Sequence, residues 1–242
     1  MKIQKDLFAQ FLRKASINDH ITDGIIKFGK DRMSFMNCTI DNNMFCNCVI
    51  DAKYIWDNEV LGNVGIANMK LLRQVVNRFD SEISISLKDN KLILQDGKRT
   101  ADFSTLDTDY MKVFPDKILG LDYPYNFEID NNVLSEAITT CNIVSERTKV
   151  FTLEVFKSNI SITSGDNKDS GNLNRFFIED NIKGNVGEKQ RVLLGEYIVQ
   201  ALAVIDSPIE ISIGESRPFK IFENYQNKIQ TIIIIAPRVK DE

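Results

Sequence analysis

The chain has 242 residues, 43% hydrophobic and 26% charged, an ordinary balance for a globular protein of one large or two modest domains. No apolar run reaches the ~20 residues that span a bilayer. The N-terminus, Met1-Lys2-Ile3-Gln4-Lys5-Asp6, lacks a signal peptide's apolar stretch, so the expected location is cytoplasmic, or nuclear in a eukaryotic host, with no membrane partner. The net charge of −4, from 30 Lys+Arg against 34 Asp+Glu, argues against indiscriminate nucleic-acid binding unless the cations gather on one face.

Helical spacing first appears over 4–16, with Leu7, Phe8, Phe11, Leu12 and Ala15 on one side. A hairpin is expected over 26–35. The second helix is expected over 68–79, its apolar positions being Met69, Leu71, Leu72, Val75, Val76 and Phe79. Alternating strands follow, including 91–95 and 101–106. The segment 107–124 holds Pro115 and Gly120 between strand-rich stretches and reads as a linker. A third helix is expected from about Asn132, with Val133, Leu134, Ala137, Ile138, Cys141 and Val144 on one face, then a hairpin over 153–162. The fourth helix, 195–205, is apolar almost all round, and strands are expected over 220–223 and 231–235.

These elements repeat. Leu7 corresponds to Val133, Met69 to Gly195, and Asp80-Ser81 to Asp206-Ser207, each pair 126 positions apart. Each half therefore reads helix, strands, helix, strands. The expected fold class is α+β, with two similar domains at 1–106 and 125–242 joined by a connector at 107–124. Antiparallel strands with one apolar face need the helices to cover them.

Four cysteines suit a reducing compartment. Cys46 and Cys48 share one strand face with Met44 and Ile50. With Cys38 they match no common zinc spacing, and His20, the single histidine, lies far off, so core packing is the reading and no metal is expected. No catalytic motif is present. Gly97-Lys98-Arg99-Thr100 imitates the end of a P-loop, but Leu92 stands where that motif needs glycine, and a basic hairpin turn between strands is the expected reading. No catalytic residue, cofactor or enzymatic activity is expected.

The clearest chemical signal is the second helix. On a 3.6-residue period Lys70, Arg73, Gln74, Asn77 and Arg78 fall opposite the apolar stripe. On the first helix Arg13 lies opposite the apolar face and Lys14 flanks it, while Arg147 and Lys149 follow the third helix. Such a face suits phosphate contacts without base readout, since Lys and Arg neutralise phosphates whatever the sequence; a solvated helix face is the bland alternative. The third and fourth helices carry Ser135, Glu136, Thr139, Glu196 and Gln200 instead.

The order and spacing of the whole chain resemble the sliding clamps of the proliferating-cell-nuclear-antigen (PCNA) family. The most specific stretch is Arg217-Pro218-Phe219-Lys220-Ile221, then Ile233-Ile234-Ile235-Ala236-Pro237-Arg238-Val239, which looks like the family's final hairpin and its aliphatic-Ala-Pro-basic-aliphatic ending. Leu119-Gly120-Leu121 resembles its interdomain connector, and Met69-Lys70-Leu71-Leu72-Arg73 its second helix. The resemblance implies a homotrimeric ring, with helices lining a central hole that holds duplex DNA and sheets outside. It implies no catalysis: the ring tethers DNA polymerase, is placed by a clamp loader, and binds other replication and repair proteins through short peptides. The subunit contact would pair strand 101–106 (Ala101, Phe103, Thr105) with strand 175–180 (Arg175, Phe177, Glu179). The peptide groove would be formed by Leu119, Leu121, Pro218, Ile234, Ile235, Ala236 and Pro237, with Met44 or Phe45 from the first domain. The alternatives are a non-ring processivity factor of the same fold, as in some viruses, and, from another class, an enzyme or ligand-binding module on a two-domain α+β scaffold.

Overall fold

The computed structural model describes residues 1–57, 60–97, 99–112, 114, 116–144, 150–164, 174–178, 183–184, 186–206 and 208–237. The chain divides into two compact units. The first comprises Met1–Asp41, Phe45–Pro115 and Asn224–Thr231, and the second Asn42–Met44, Asp116–Glu223 and Ile232–Glu242. The main break falls inside the segment read as a connector.

The first unit opens with β1 (Lys2–Gln4) and α1 (Lys5–Ala15). Phe8, Phe11, Leu12 and Ala15 are spaced for one helix face and all are fully buried. Each of the three large side chains contributes about 1.5–3 kcal/mol on burial. Asp6 in the first turn and Arg13 in the last complement the helix dipole. Next come β2 (Gly24–Phe28), β3 (Arg32–Cys38), β4 (Met44–Asp51), β5 (Ile55–Trp56) and β6 (Gly62–Ile66). Helix α2 (Met69–Val76) is capped by Asn68, which accepts from the Leu71 N–H at 2.8 Å, and it ends three residues before its pattern predicts, the chain turning at Asn77. Then follow β7 (Glu82–Lys88), β8 (Lys91–Asp96) and β9 (Arg99–Ser104).

The second unit repeats this order with β10 (Tyr125–Ile129), α3 (Asn131–Val144), β11 (Phe151–Lys157), β12 (Asn159–Ser164), β13 (Asn174–Ile178) and β14 (Val186–Leu194). It continues with α4 (Tyr197–Leu202), β15 (Ile209–Ile213), β16 (Phe219–Tyr225) and β17 (Ile229–Ile235). α1 starts at Lys5 and α3 at Asn131, 126 residues on. No described helix is long and apolar enough to cross a membrane.

Sheet topology repeats as well. In the first unit β1-β7-β8-β9 lie side by side, with β5 added beyond β1, and β4-β3-β2-β6 form the other layer. In the second unit the orders are β10-β15-β16-β17 and β13-β12-β11-β14. Replacing each strand by its counterpart converts one pair of orders into the other. The described pairings are antiparallel, as the alternating pattern requires.

One turn device also recurs. After α2 the Asp80 N–H donates to Asp96 Oδ2 at 2.5 Å; after α4 the Asp206 N–H donates to Glu223 Oε1 at 2.9 Å. Both aspartate N–H groups are thus held by a carboxylate from a later strand. Arg99 bridges Asp80 and Asp96 and holds the exposed Asp80 carboxyl below its usual range, chiefly by hydrogen bonding. Gly97 lies between β8 and β9, which pair at Asp96 and Arg99, so the stretch that imitates a P-loop belongs to a hairpin. Gly65 on β6 admits the chain leaving β9: the Leu106 N–H donates to its carbonyl at 2.9 Å, and a Cβ there would lie 2.5 Å from Leu106 O.

Met44, Cys46, Cys48 and Ile50 are fully buried on β4. Cys46 Sγ donates to Lys14 O at 3.4 Å, and Cys48 lies 3.9 Å from Thr231 Oγ1, so these thiols are packed as core.

Candidate nucleic-acid interface

α1 and α2 pack against each other in the first unit. With Met69, Leu72 and Val76 buried, the opposite face of α2 presents Lys70 and Gln74 to solvent, and the turn after it exposes Arg78. Leu71 shares that exposed face, 46% accessible, although its sequence pattern assigns it to the core. The buried stripe is only one residue per turn wide, so Leu71 and the half-buried Val75 fall outside it.

Two cations are placed differently from the periodicity. Arg73 sits on the flank of α2 rather than opposite its buried face, and its side chain is 20% exposed. Its guanidinium donates to Asp19 Oδ2 at 2.7 Å and Asn18 Oδ1 at 3.3 Å. The chain leaves α1 through three successive left-handed residues, Ile17, Asn18 and Asp19. Asn and Asp tolerate that conformation, whereas a β-branched Ile is held there only by surrounding structure. This turn brings both acceptors to Arg73.

Lys14, expected on the solvent side, is fully buried, with its ammonium 4.7 Å from the centre of the Tyr225 ring. Tyr225 ends β16 at the turn into β17, about two hundred residues away and grouped with the first unit, so helical phase could not reveal this cover. Lys14 is therefore a packing residue. Arg13 remains at the surface, half-buried, donating to Gln10 Oε1 at 3.2 Å. Arg147 and Lys149 lie outside the described residues.

Beside these cations, on the first unit, a cleft of about 740 Å³ lies between α1, the end of α2, β5 and the β16–β17 turn. Arg13, Arg73 and Lys228 line it, together with Tyr54, Trp56 and Tyr225. Sequence reasoning missed this site, because its aromatic members are dispersed over 54–56 and 225. The available signal was Trp56, the chain's single tryptophan, two residues after Tyr54.

The strands expected at subunit contacts are sheet edges: β9 ends one sheet and β13 another. On β9 Ala101 and Phe103 are half-buried. Thr105 is a correction: it lies beyond the strand, its hydroxyl donating to Asn90 O at 2.8 Å. On β13 Phe177 is 56% exposed under the Arg175 guanidinium, 4.7 Å from its ring centre. Arg175 also reaches Ser161 Oγ at 3.0 Å and Glu154 Oε2 at 3.4 Å. Glu179 lies outside the described residues.

The expected groove residues separate by burial. Leu119, Leu121, Pro218, Ala236 and Pro237 are half-buried, and the Ala236 N–H donates to Asn43 O at 2.8 Å. Met44, Phe45, Ile234 and Ile235 are sealed, none above 2% exposed. Those four are corrected to core residues. Phe45 is covered by Phe114, ring centres 5.0 Å apart, and β17 is enclosed on both faces from Ile233 to Ile235.

No protein-family model and no curated protein sequence matches the chain. Solved structures do. One is the PCNA2–PCNA3 complex from Sulfolobus tokodaii, at 16% identity and TM-score 0.78, covering 99% of this chain and all of that one. Another is A. fulgidus PCNA bound by the C-terminal region of FEN-1, at 14% identity and TM-score 0.81, covering this whole chain and 98% of that one. Full-length superposition at such low identity means that the topology is shared although few residues are. The chain has the two-domain α+β fold of the PCNA sliding clamps.

Proposed function

We propose that this protein is a sliding clamp: three copies close a ring around duplex DNA and tether DNA polymerase and other replication proteins, catalysing nothing themselves. The observation that carries this reading is the exposed cationic side of α2 and the turn after it, Lys70 and Arg78, with Arg13 of α1 at the surface as well, on the helix layer of a fold that PCNA clamps share. Arg13, Lys70, Arg73 and Arg78 would meet phosphates without reading sequence. Arg147 and Lys149 would add to them from the second domain.

Domains 1–106 and 125–242, joined by the connector 107–124, each offer an edge strand. Ring closure would pair β9 of one copy with β13 of the next, covering Phe103 and Phe177 and satisfying edges that otherwise invite uncontrolled pairing. Partner peptides from the polymerase, clamp loader and repair proteins would dock over Leu119, Leu121, Pro218, Ala236 and Pro237, an apolar set left half-exposed. The A. fulgidus protein, which holds a FEN-1 segment, is the precedent for that kind of partner.

The test is solution mass across concentration. A trimer of 27.6 kDa subunits is expected, and a protein that stays monomeric at high micromolar concentration overturns the ring. For the groove, Leu121→Glu or Pro237→Glu should abolish polymerase stimulation while leaving the trimer intact; normal stimulation by both variants would place the groove elsewhere.

A further inference from the structure

We infer that the cleft beside α1 holds an unpaired nucleotide of a DNA strand, its base stacked on Trp56 and its phosphate met by Arg13, Arg73 and Lys228. The inference deepens the clamp reading and rests on it for the presence of DNA at this face.

Phosphate contact alone needs only a cationic surface, and the exposed side of α2 supplies one. The cleft has features that such contact does not require. Trp56 lies on β5, beside β1 and outermost among the described strands of its sheet. Its neighbour Ile55 is buried in the core, so strand alternation turns the indole outward, where it is 43% exposed. A tryptophan this exposed leaves much of its indole unused by packing. It does provide a flat π-face, on which any base can stack.

The opposite wall is fixed in place. Tyr54 donates its hydroxyl to Asn227 O at 3.0 Å, Gln226 Nε2 donates to the Tyr225 hydroxyl at 3.1 Å, and Tyr225 rests on the buried Lys14. These bonds hold the turn that presents Lys228. The lone acid on the described lining, Asp6, is already ion-paired with Lys5 Nζ at 2.8 Å. Arg73 is oriented by Asp19 and Asn18, and its Nε is buried without a hydrogen-bond partner.

At about 740 Å³ the cleft falls within the ~300–1,000 Å³ of small-ligand pockets. Bases inside a duplex are stacked and paired and cannot enter without being extruded. The fitting occupant is therefore a nucleotide already unpaired, as at the junction where double strand gives way to single strand. Aromatic and cationic groups interleaved in this way are the usual recognition elements for single strands.

Trp56 is the chain's single tryptophan, so its fluorescence reports on this site alone. The intact protein is titrated with an oligothymidylate of about ten nucleotides, an abasic strand of equal length, a blunt duplex and thymidine monophosphate. The oligothymidylate should quench and blue-shift the emission, and the abasic strand and the blunt duplex should leave it unchanged. Anisotropy of a labelled oligothymidylate should show about ten-fold weaker binding for Trp56→Ala, with Trp56→Phe restoring most of it. Both variants should keep wild-type mass and duplex affinity, which separates failure of this site from failure of the clamp reading. Equal response to the abasic strand would reduce the site to a phosphate contact and overturn the proposal. Binding of the monophosphate as tight as that of the strand would make it a free-nucleotide pocket and overturn it too, as would unchanged single-strand affinity in Trp56→Ala.

Discussion

Helices α2 and α4 occupy matching places in the two repeats, yet α2 turns Lys70 and Gln74 to solvent, with Arg78 exposed just beyond it, while α4, Tyr197 to Leu202, carries no charge at all. α1 and α3 differ in the same direction: Arg13 lies at the surface of one, and Glu136, Thr139 and Thr140 on the other. Inward, the two pairs solve the same problem, with Phe8, Phe11 and Leu12 matched by Leu134, Ala137 and Ile138 against the sheets. A repeated fold thus fixes the buried stripe of each helix and leaves the outer face free to specialise. Among the described residues, the helix faces of the first unit carry cations and those of the second do not. On the clamp reading, one half of each subunit grips DNA and the other half chiefly completes the ring.

That division of labour can be broken most directly at the edges, where the halves must cooperate. Proline at Phe177 or at Phe103 removes a strand N–H that pairing between copies would use. Either variant should convert the trimer to smaller species, read by light scattering; a wild-type mass for both would move the interface off β9 and β13.

The next largest effect should come from reversing charge on α2. Arg73→Glu with Arg78→Glu should impair loading and weaken binding to short duplexes. The slope of log affinity against log salt should fall by about 0.9 for each phosphate that is no longer neutralised. Because Arg73 is tied to Asp19 and Arg78 is exposed, the single Arg78 change should account for more of the weakening. An unchanged slope in the double variant would show that this helix does not line a DNA channel.

Lys14→Ala sharpens the contrast from the other side. It removes a fully buried side chain and should cost about 2 kcal/mol of stability, lowering Tm in calorimetry while the salt slope stays at its wild-type value. A shallower salt slope with unchanged Tm would return Lys14 to the DNA face.

The smallest effect should be seen on the second unit. Glu136→Ala and Glu196→Ala should strengthen duplex binding slightly by removing like-charge repulsion, with stability within about 0.5 kcal/mol of wild type. A marked drop in affinity in either would show that the second helix pair meets DNA on its own account.

Much of this was legible in the sequence. Helical periodicity located all four helices and the 126-residue offset related them in pairs, while the alternating runs located β8, β9, β16 and β17 to within a few residues. Periodicity works there because an apolar stripe must find cover whatever the details of the partner. The apolar set for the peptide groove was only half legible. Burial of Ile234 and Ile235 together contradicts simple alternation, and it follows from cover on both faces of one strand.

What the sequence determined by itself was which residue types recur, at what period, and so which faces must be buried. What only the tertiary structure decided was the fate of residues on the flanks of those faces. Lys14 and Arg13 are neighbours of equal charge, yet Tyr225 from a distant turn seals the first and leaves the second at the surface. Arg73 is drawn aside by Asp19 because three left-handed residues turn the chain back upon it. Trp56, inconspicuous on a two-residue strand, became one wall of a cleft through that same distant turn. A helical period fixes an angle about one axis. Whether a side chain at that angle meets water or another segment depends on contacts made across the fold, which no local pattern encodes.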